Sequence, residues 1–338
     1  RRSSDLRNRF TEIWVPSLSE MEDVLQIVDS KLNAPTKKFA KPMVDFAEWF
    51  GQKYRSSSTQ SISVRDLLAW ISFVNGSKPQ DPYFAILHGA AMVYIDTLGA
   101  NPAALLAINP ESIIEERATC LQQLSSFLNY NVSAIYYTNV EVNNTEDAFV
   151  AFGDFQIPKA AASQADTGFA FDAPTTKLNA MRVVRALQVQ KPILIEGSPG
   201  VGKTTLIAAL AKAIGKPLTR INLSEQTDLM DLFGSDVPVE GAEAGNFAWR
   251  DAAFLQAMQR GDWVLLDEMN LASQSVLEGL NACLDHRGEV YISELDQTFK
   301  RHPNFSVFAA QNPHHQGGGR KGLPSSFVNR FTDRKSVV

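Results

Sequence analysis

The sequence predicts an α/β fold, a parallel sheet with helices on both faces, preceded by an all-α domain. Three observations carry this. From about 177 onward, short wholly apolar runs alternate with amphipathic helical stretches, as in sheets buried on both faces. Before about 148 the apolar residues recur at helical spacing. A Gly-rich octapeptide sits between the first apolar run of the second part and the helix that follows it.

The elements follow in order. Ser17 and Glu20 have capping-box spacing ahead of Val24, Leu25, Val28 and Leu32, which share one helical face. Met43, Phe46, Ala47 and Phe50 make a second stripe. Ser63 is placed to cap a third helix carrying Leu67, Leu68, Ile71 and Val74. Tyr83 to Leu98 and Ile113 to Leu128 predict two more, with breaks at Asn75-Gly76-Ser77 and Gln80-Asp81-Pro82. Together they predict an all-helical domain over 12–148. Residues 149–176, with Gly153, Pro158, Gly168 and Pro174, read as a linker, although 169–176 reads equally as a loop of the second domain.

The second domain, 177–338, opens with a helix carrying Leu178, Met181, Val184 and Leu187. Strands are predicted at Pro192 to Ile195, Leu218 to Leu223, Trp263 to Leu266 and Phe305 to Ala310. Helices are predicted at Thr205 to Ile214, Phe254 to Gln259 and Val276 to Leu284.

Composition narrows the class. At roughly 150 residues per domain, 338 residues predict about two domains. With 44% hydrophobic and 20% charged residues, global disorder is excluded. A net charge of −5 makes no case for a nucleic-acid or membrane-surface protein. Cys120 and Cys283 are too few for a disulfide framework and fit a reducing compartment. No apolar run approaches the ~18 residues of a membrane span, and the polar start is no secretory signal. The chain begins with Arg, and Asn8-Arg9-Phe10-Thr11 reappears as Asn329-Arg330-Phe331-Thr332. The expectation is a piece of a longer chain, running from the tail of one module to the tail of the next. The closing Asp333 to Val338 does not continue as Glu12-Ile13-Trp14-Val15-Pro16 does.

The octapeptide Gly197-Ser198-Pro199-Gly200-Val201-Gly202-Lys203-Thr204 fits the P-loop pattern at every fixed position. Its glycines let backbone N–H groups turn around phosphate oxygens, and the helix beginning near Thr205 adds partial positive charge. Lys203 can reach β- and γ-phosphates, and the Thr204 hydroxyl can ligate Mg²⁺. Trp263-Val264-Leu265-Leu266 ends in Asp267-Glu268, at the strand edge where ligands bind in open α/β sheets. Asp267 is placed to hold Mg²⁺, and Glu268 to orient and deprotonate an attacking water. Phe308-Ala309-Ala310 ends in Gln311-Asn312. There an Asn can position that water, or simply cap a turn before Pro313. Arg330, between Phe327 and Phe331, suits stabilisation of transition-state charge, yet its local sequence by itself reads more readily as a surface arginine in a salt bridge. His314-His315 and the glycine-rich residues after them read as a mobile polar loop, because adjacent histidines on an extended chain suit one metal poorly.

In this order the motifs resemble those of the AAA+ ATPases. The interruption at Leu229 to Trp249 resembles the helix-2 insert of the branch that contains MoxR proteins and dynein. The fold implied is a three-layer P-loop NTPase (AAA+) domain with that insert, behind a lid-type helical domain. The resemblance covers 169–332 strongly and 1–148 more weakly, through Asn8 to Val15 and Ser63 to Leu68. It implies ATP and Mg²⁺ as ligands, held by Gly197 to Thr205 and Asp267, with Glu268 catalytic and Asn312 as sensor 1. Arg330 would be an arginine finger serving a neighbouring module. Arg9 would be its equivalent in the preceding module. Residues 1–11 would be the tail of that module's large domain, and 12–148 its lid. Arg65 would be the lid's sensor 2, or an exposed helical arginine.

Within that branch the stretches Leu266 to Ala272, Leu280 to Gly288 and Ala310 to Pro313 resemble those of ring motors of ribosome assembly. This implies neighbouring AAA+ modules in one polypeptide, a pre-60S particle and its assembly factors as partners, and a nuclear location. A non-hydrolysing structural module, with the inserts at 229–249 and 289–303 as docking surfaces, and a MoxR-type chaperone are the competing readings. Because such a chain lacks its own lid and the finger of the next module, weak turnover in isolation is expected.

Overall fold

The computed structural model describes residues 11–336, apart from 12, 16–19, 56–61, 78–80, 100–107, 138–140, 144, 161–170, 172, 242–244, 313–321 and 329. In the first part the apolar stripes fold as helices α1 (Met21–Lys31), α2 (Ala40–Tyr54), α3 (Val64–Gly76), α4 (Pro82–Val93), α5 (Ile113–Leu128) and the single turn α6 (Ser133–Tyr136). Val24, Val28, Met43, Phe46, Ala47 and Phe50 are buried, so the predicted faces are the packed ones. The Ser63 hydroxyl accepts from the Asp66 N–H at 3.3 Å and starts α3. Glu20 precedes α1, and Ser17 lies outside the described residues. Phe46, Trp70 and Tyr94 meet edge-on with centroids 5.5–5.8 Å apart. Gly89 admits this contact, since a Cβ there would press into the Trp70 ring. Its cost in helix propensity, about 1 kcal/mol, is offset by the close approach of α4 to α3.

The expected linker is in part a sheet. Strands β1 (Val142–Asn143), β2 (Phe149–Phe152) and β3 (Phe155–Pro158) form a three-stranded antiparallel meander. Val150, Phe152, Phe155 and Ile157 point into the core at period two, and Gly153, at φ +58°, opens the two-residue hairpin turn. Four-residue strands are too short for periodicity to reveal, and the turn glycine reads as linker composition. The all-α expectation for 12–148 therefore ends before β1.

The large domain begins with α7 (Pro174–Leu187), β4 (Ile193–Glu196), α8 (Lys203–Ile214) and β5 (Leu218–Asn222). The insert follows, as the short α9 (Leu229–Phe233) and the hairpin β6 (Gly234–Pro238) with β7 (Phe247–Asp251). Then come α10 (Ala253–Arg260), β8 (Trp263–Asp267), α11 (Gln274–Leu284) and a second hairpin, β9 (Glu289–Ile292) with β10 (Gln297–Lys300). Strand β11 (Ser306–Gln311), α12 (Ser325–Val328) and β12 (Thr332–Ser336) complete it. Five strands form one parallel sheet in the order β12-β4-β11-β8-β5. Ile193, Ile195, Trp263, Leu265, Phe308 and Ala310 belong to one apolar core. Their neighbours Leu194, Val264, Leu266, Val307 and Ala309 belong to another, which makes the domain three-layered.

One buried polar cluster joins the helical part to the large domain. Asp96, fully buried just after α4, accepts from Tyr136 Oη at 2.9 Å and pairs with Arg185 of α7, while Arg182 Nε lies 3.6 Å away. Arg185 Nε donates to His88 Nδ1 at 3.0 Å. Buried ion pairs add little net stability, because desolvation offsets the attraction, but breaking one leaves an uncompensated charge. Asp96→Ala is therefore expected to cost about 3–5 kcal/mol in denaturant unfolding; a loss below about 1 kcal/mol would contradict the role of the cluster. Burial, and then the Arg185 charge, hold the His88 pKa well below its ordinary 6.5, with Asp96 opposing. Below about pH 6.5 the unfolded chain takes up a proton that the folded chain refuses, so stability falls with acidification, by at most about 1.4 kcal/mol per pH unit. Unfolding curves between about pH 6.5 and 5 should show this slope, and His88→Gln should flatten it; an unchanged slope in the variant would assign it elsewhere.

Candidate nucleotide-binding site

The P-loop leaves the end of β4 and runs into α8, as the motif requires. Gly200 and Gly202 take φ +81° and +82°, left-handed values that other residues adopt at a cost, and open space surrounds the position of an added Cβ at each. Lys203 begins α8, a helix of 12 residues, so the loop's N–H groups and the helix terminus face the same region. Such a cradle of N–H groups suits a phosphate chain. Ser198, Pro199 and Val201 are exposed, Gly197 and Thr204 half-buried, and Thr205 exposed on α8.

The structure brings the strand-end residues to this loop. Lys203 is buried, and its Nζ donates to Gly197 O at 2.6 Å, Ser198 O at 2.9 Å and Asn312 Oδ1 at 2.9 Å. Asn312 Nδ2 in turn donates to Glu268 Oε1 at 3.3 Å. An ammonium, an amide and a carboxylate thus form one hydrogen-bonded row across the ends of three strands. Asp267 lies half-buried at the end of β8. Its Oδ1 accepts from the Glu268 N–H at 2.9 Å, and Arg220 Nη2 lies 3.9 Å from its Oδ2. Glu268 has φ +54°, a left-handed conformation that costs a non-glycine residue about 1–2 kcal/mol and is found at functional sites.

Arg330 stands elsewhere. It follows the buried Phe327, and its Nε donates to Asn281 Oδ1 of α11 at 2.8 Å. Its described hydrogen bonds do not include Lys203, Glu268 or Asn312. Arg65 is exposed in the first turn of α3. Arg9, His314 and His315 lie outside the described residues.

Two further asparagines anchor residues of the predicted set, one of them at the site. Asn270 is buried and donates from Nδ2 to the Asn312 carbonyl at 2.8 Å, which fixes the backbone of the third strand end. Asn281 anchors Arg330. Both lie in stretches that carry the family resemblance, Leu266 to Ala272 and Leu280 to Gly288, but nothing in the sequence assigned either a role.

A family model described as "Midasin AAA+ ATPase lid domain" matches residues 20–96, and one described as "AAA domain (dynein-related subfamily)" matches 192–331. The midasin of Dictyostelium discoideum is 47% identical over 98% of this chain and 6% of its own length. The midasin of Giardia intestinalis is 35% identical over 97% of this chain and 7% of its own length. An uncharacterized protein of Staphylococcus aureus is 31% identical over 42% of this chain and 54% of its own length. The chain thus spans only a small part of the midasins it matches. Likeness along nearly its whole length, to both the lid and the AAA domain, makes the chain a member of the midasin family of AAA+ ATPases.

Proposed function

We propose that this chain binds Mg·ATP at the P-loop and hydrolyses it as one module of a ring motor. The row Lys203–Asn312–Glu268 is the observation that carries this reading. Lys203 and the P-loop N–H groups would hold the phosphates. Thr204 and Asp267 would hold Mg²⁺, whose charge offsets that of the phosphates. Glu268 is the general base for the attacking water, and Asn312 orients both Glu268 and that water without adding charge.

The helical domain belongs, in this reading, to the lid of a preceding module. The repeated Asn-Arg-Phe-Thr supports it. Strand β12 begins at the last residue of the second copy and lies parallel to β4. Ile13, Trp14 and Val15 follow the first copy and are 77–88% exposed, as expected of a strand whose sheet belongs to another module. Arg330 and Arg9 would each reach across a module boundary. Held by Asn281 between buried anchors, the Arg330 guanidinium is presented to a neighbour's nucleotide. The ring would act in the nucleus on pre-60S particles and release assembly factors.

Thermal unfolding with excess Mg·ATP tests binding. Ligand at about 100 times Kd should stabilise the chain by about 2.7 kcal/mol, and Lys203→Ala should remove that gain. Glu268→Gln should keep it while lowering hydrolysis about 10²–10⁴-fold in a multi-module form; undiminished turnover would sink the assignment. Arg330→Ala should leave binding to this chain unchanged and slow hydrolysis at the adjoining module, by about 10³–10⁵-fold if it matches arginine fingers of GTPases. Loss of turnover at its own P-loop instead would contradict action in trans.

A further inference from the structure

A cavity of about 450 Å³ opens at the end of the parallel sheet away from the P-loop. The first residues of β8 and β11, the C-terminal ends of α7 and α8, the base of the β9–β10 hairpin and the segment after β3 enclose it. Among the described residues its walls hold Lys159, Lys191, Lys216, Arg287, Lys300 and Arg301, and no aspartate or glutamate. That concentration stands out in a chain with 37 acidic and 32 basic residues. Lys191, Arg287 and Lys300 are exposed. Two acids act from behind the wall. Asp285 pairs with Arg287 at 3.3 Å, and Asp262 interacts with Lys216. The floor is apolar, with Ile157, Leu187, Pro192 and Ile214.

We infer that this cavity docks an acidic polypeptide segment with an apolar side chain between its carboxylates. A cationic rim over an apolar floor is complementary to that pattern. RNA fits less well. Single strands bind by stacking bases on exposed aromatic rings, whereas the cavity's Trp263 and Phe305 are 3% and 6% exposed. Duplexes bind over broad surfaces of about 1,000 Å² or more, not in a pocket the size of a few side chains. A bound segment would touch both the large domain and the arm that leads to it from the helical part, so occupancy would bias how the two are joined. None of this depends on nucleotide chemistry.

Fluorescence anisotropy tests it on the 338-residue chain. The probes are a fluorescein-labelled dodecapeptide of alternating Glu and Asp with two central leucines, and a labelled uridine dodecamer. The peptide should bind saturably, and at least ~10-fold more weakly when NaCl rises from about 50 to about 300 mM. The K191E/K300E double variant, altered only at exposed positions, should bind it at least ~10-fold more weakly while melting like the parent. A K37E/K38E variant in the helical part should bind it unchanged. Absence of saturable binding, equal loss in K37E/K38E, unchanged affinity in K191E/K300E, or tighter binding of the uridine dodecamer would each overturn the inference.

Discussion

Ile193, Phe308 and Leu265 lie side by side in β4, β11 and β8, and the site follows from that row. Parallel strands leave the sheet at the same edge, so aligning these three residues aligns what comes after them. The P-loop departs after Glu196, Asp267-Glu268 after Leu266, and Asn312 after Gln311, which itself pairs with Glu196. A slip of one residue would exchange the two cores, because Leu194, Leu266 and Ala309 face one way while Ile195, Leu265 and Ala310 face the other. Burial on both faces thus fixes the register, and the register fixes the distances that let Lys203, Asn312 and Glu268 share hydrogen bonds. The strained turn at Glu268 and the Asn270 bond to the Asn312 carbonyl are refinements on that frame.

The second constraint is the Asp96 cluster. Arg182 and Arg185 project from α7, the helix that leads into β4, and Asp96 receives them from the helical part. Arg117 is buried nearby and donates to Leu98 O at 3.3 Å; burial, and then the Arg182 charge, lower its pKa. A cluster with more guanidinium than carboxylate is a poor source of stability but a strict one of orientation, because few other packings satisfy it.

How far the sequence could be read depended on how local each interaction is. The P-loop is local: two glycines, a lysine and a hydroxyl within eight positions state their chemistry outright. Asp267-Glu268 and Asn312 were legible because an apolar strand points to its own end. The buried anchors were not. Asn270 meets Asn312 42 positions away, Asn281 meets Arg330 49 away, and Arg185 meets Asp96 89 away. Only the fold brings such partners together, and one partner alone looks like an ordinary polar residue. The β2–β3 hairpin was missed for a related reason. Its alternation spans four residues per strand, and its turn glycine looks like linker composition.

On this reading Lys203, Asn312 and Glu268 form a single nucleotide site. A structure of the chain with Mg²⁺ and a non-hydrolysable ATP analogue tests it most directly. Phosphates are expected within the loop of Gly197 to Thr204, with Lys203 Nζ on a phosphate oxygen in place of Asn312 Oδ1 and the Asn312 amide still beside Glu268. Phosphates bound away from the loop, or Lys203 still held by Asn312 with nucleotide present, would contradict it.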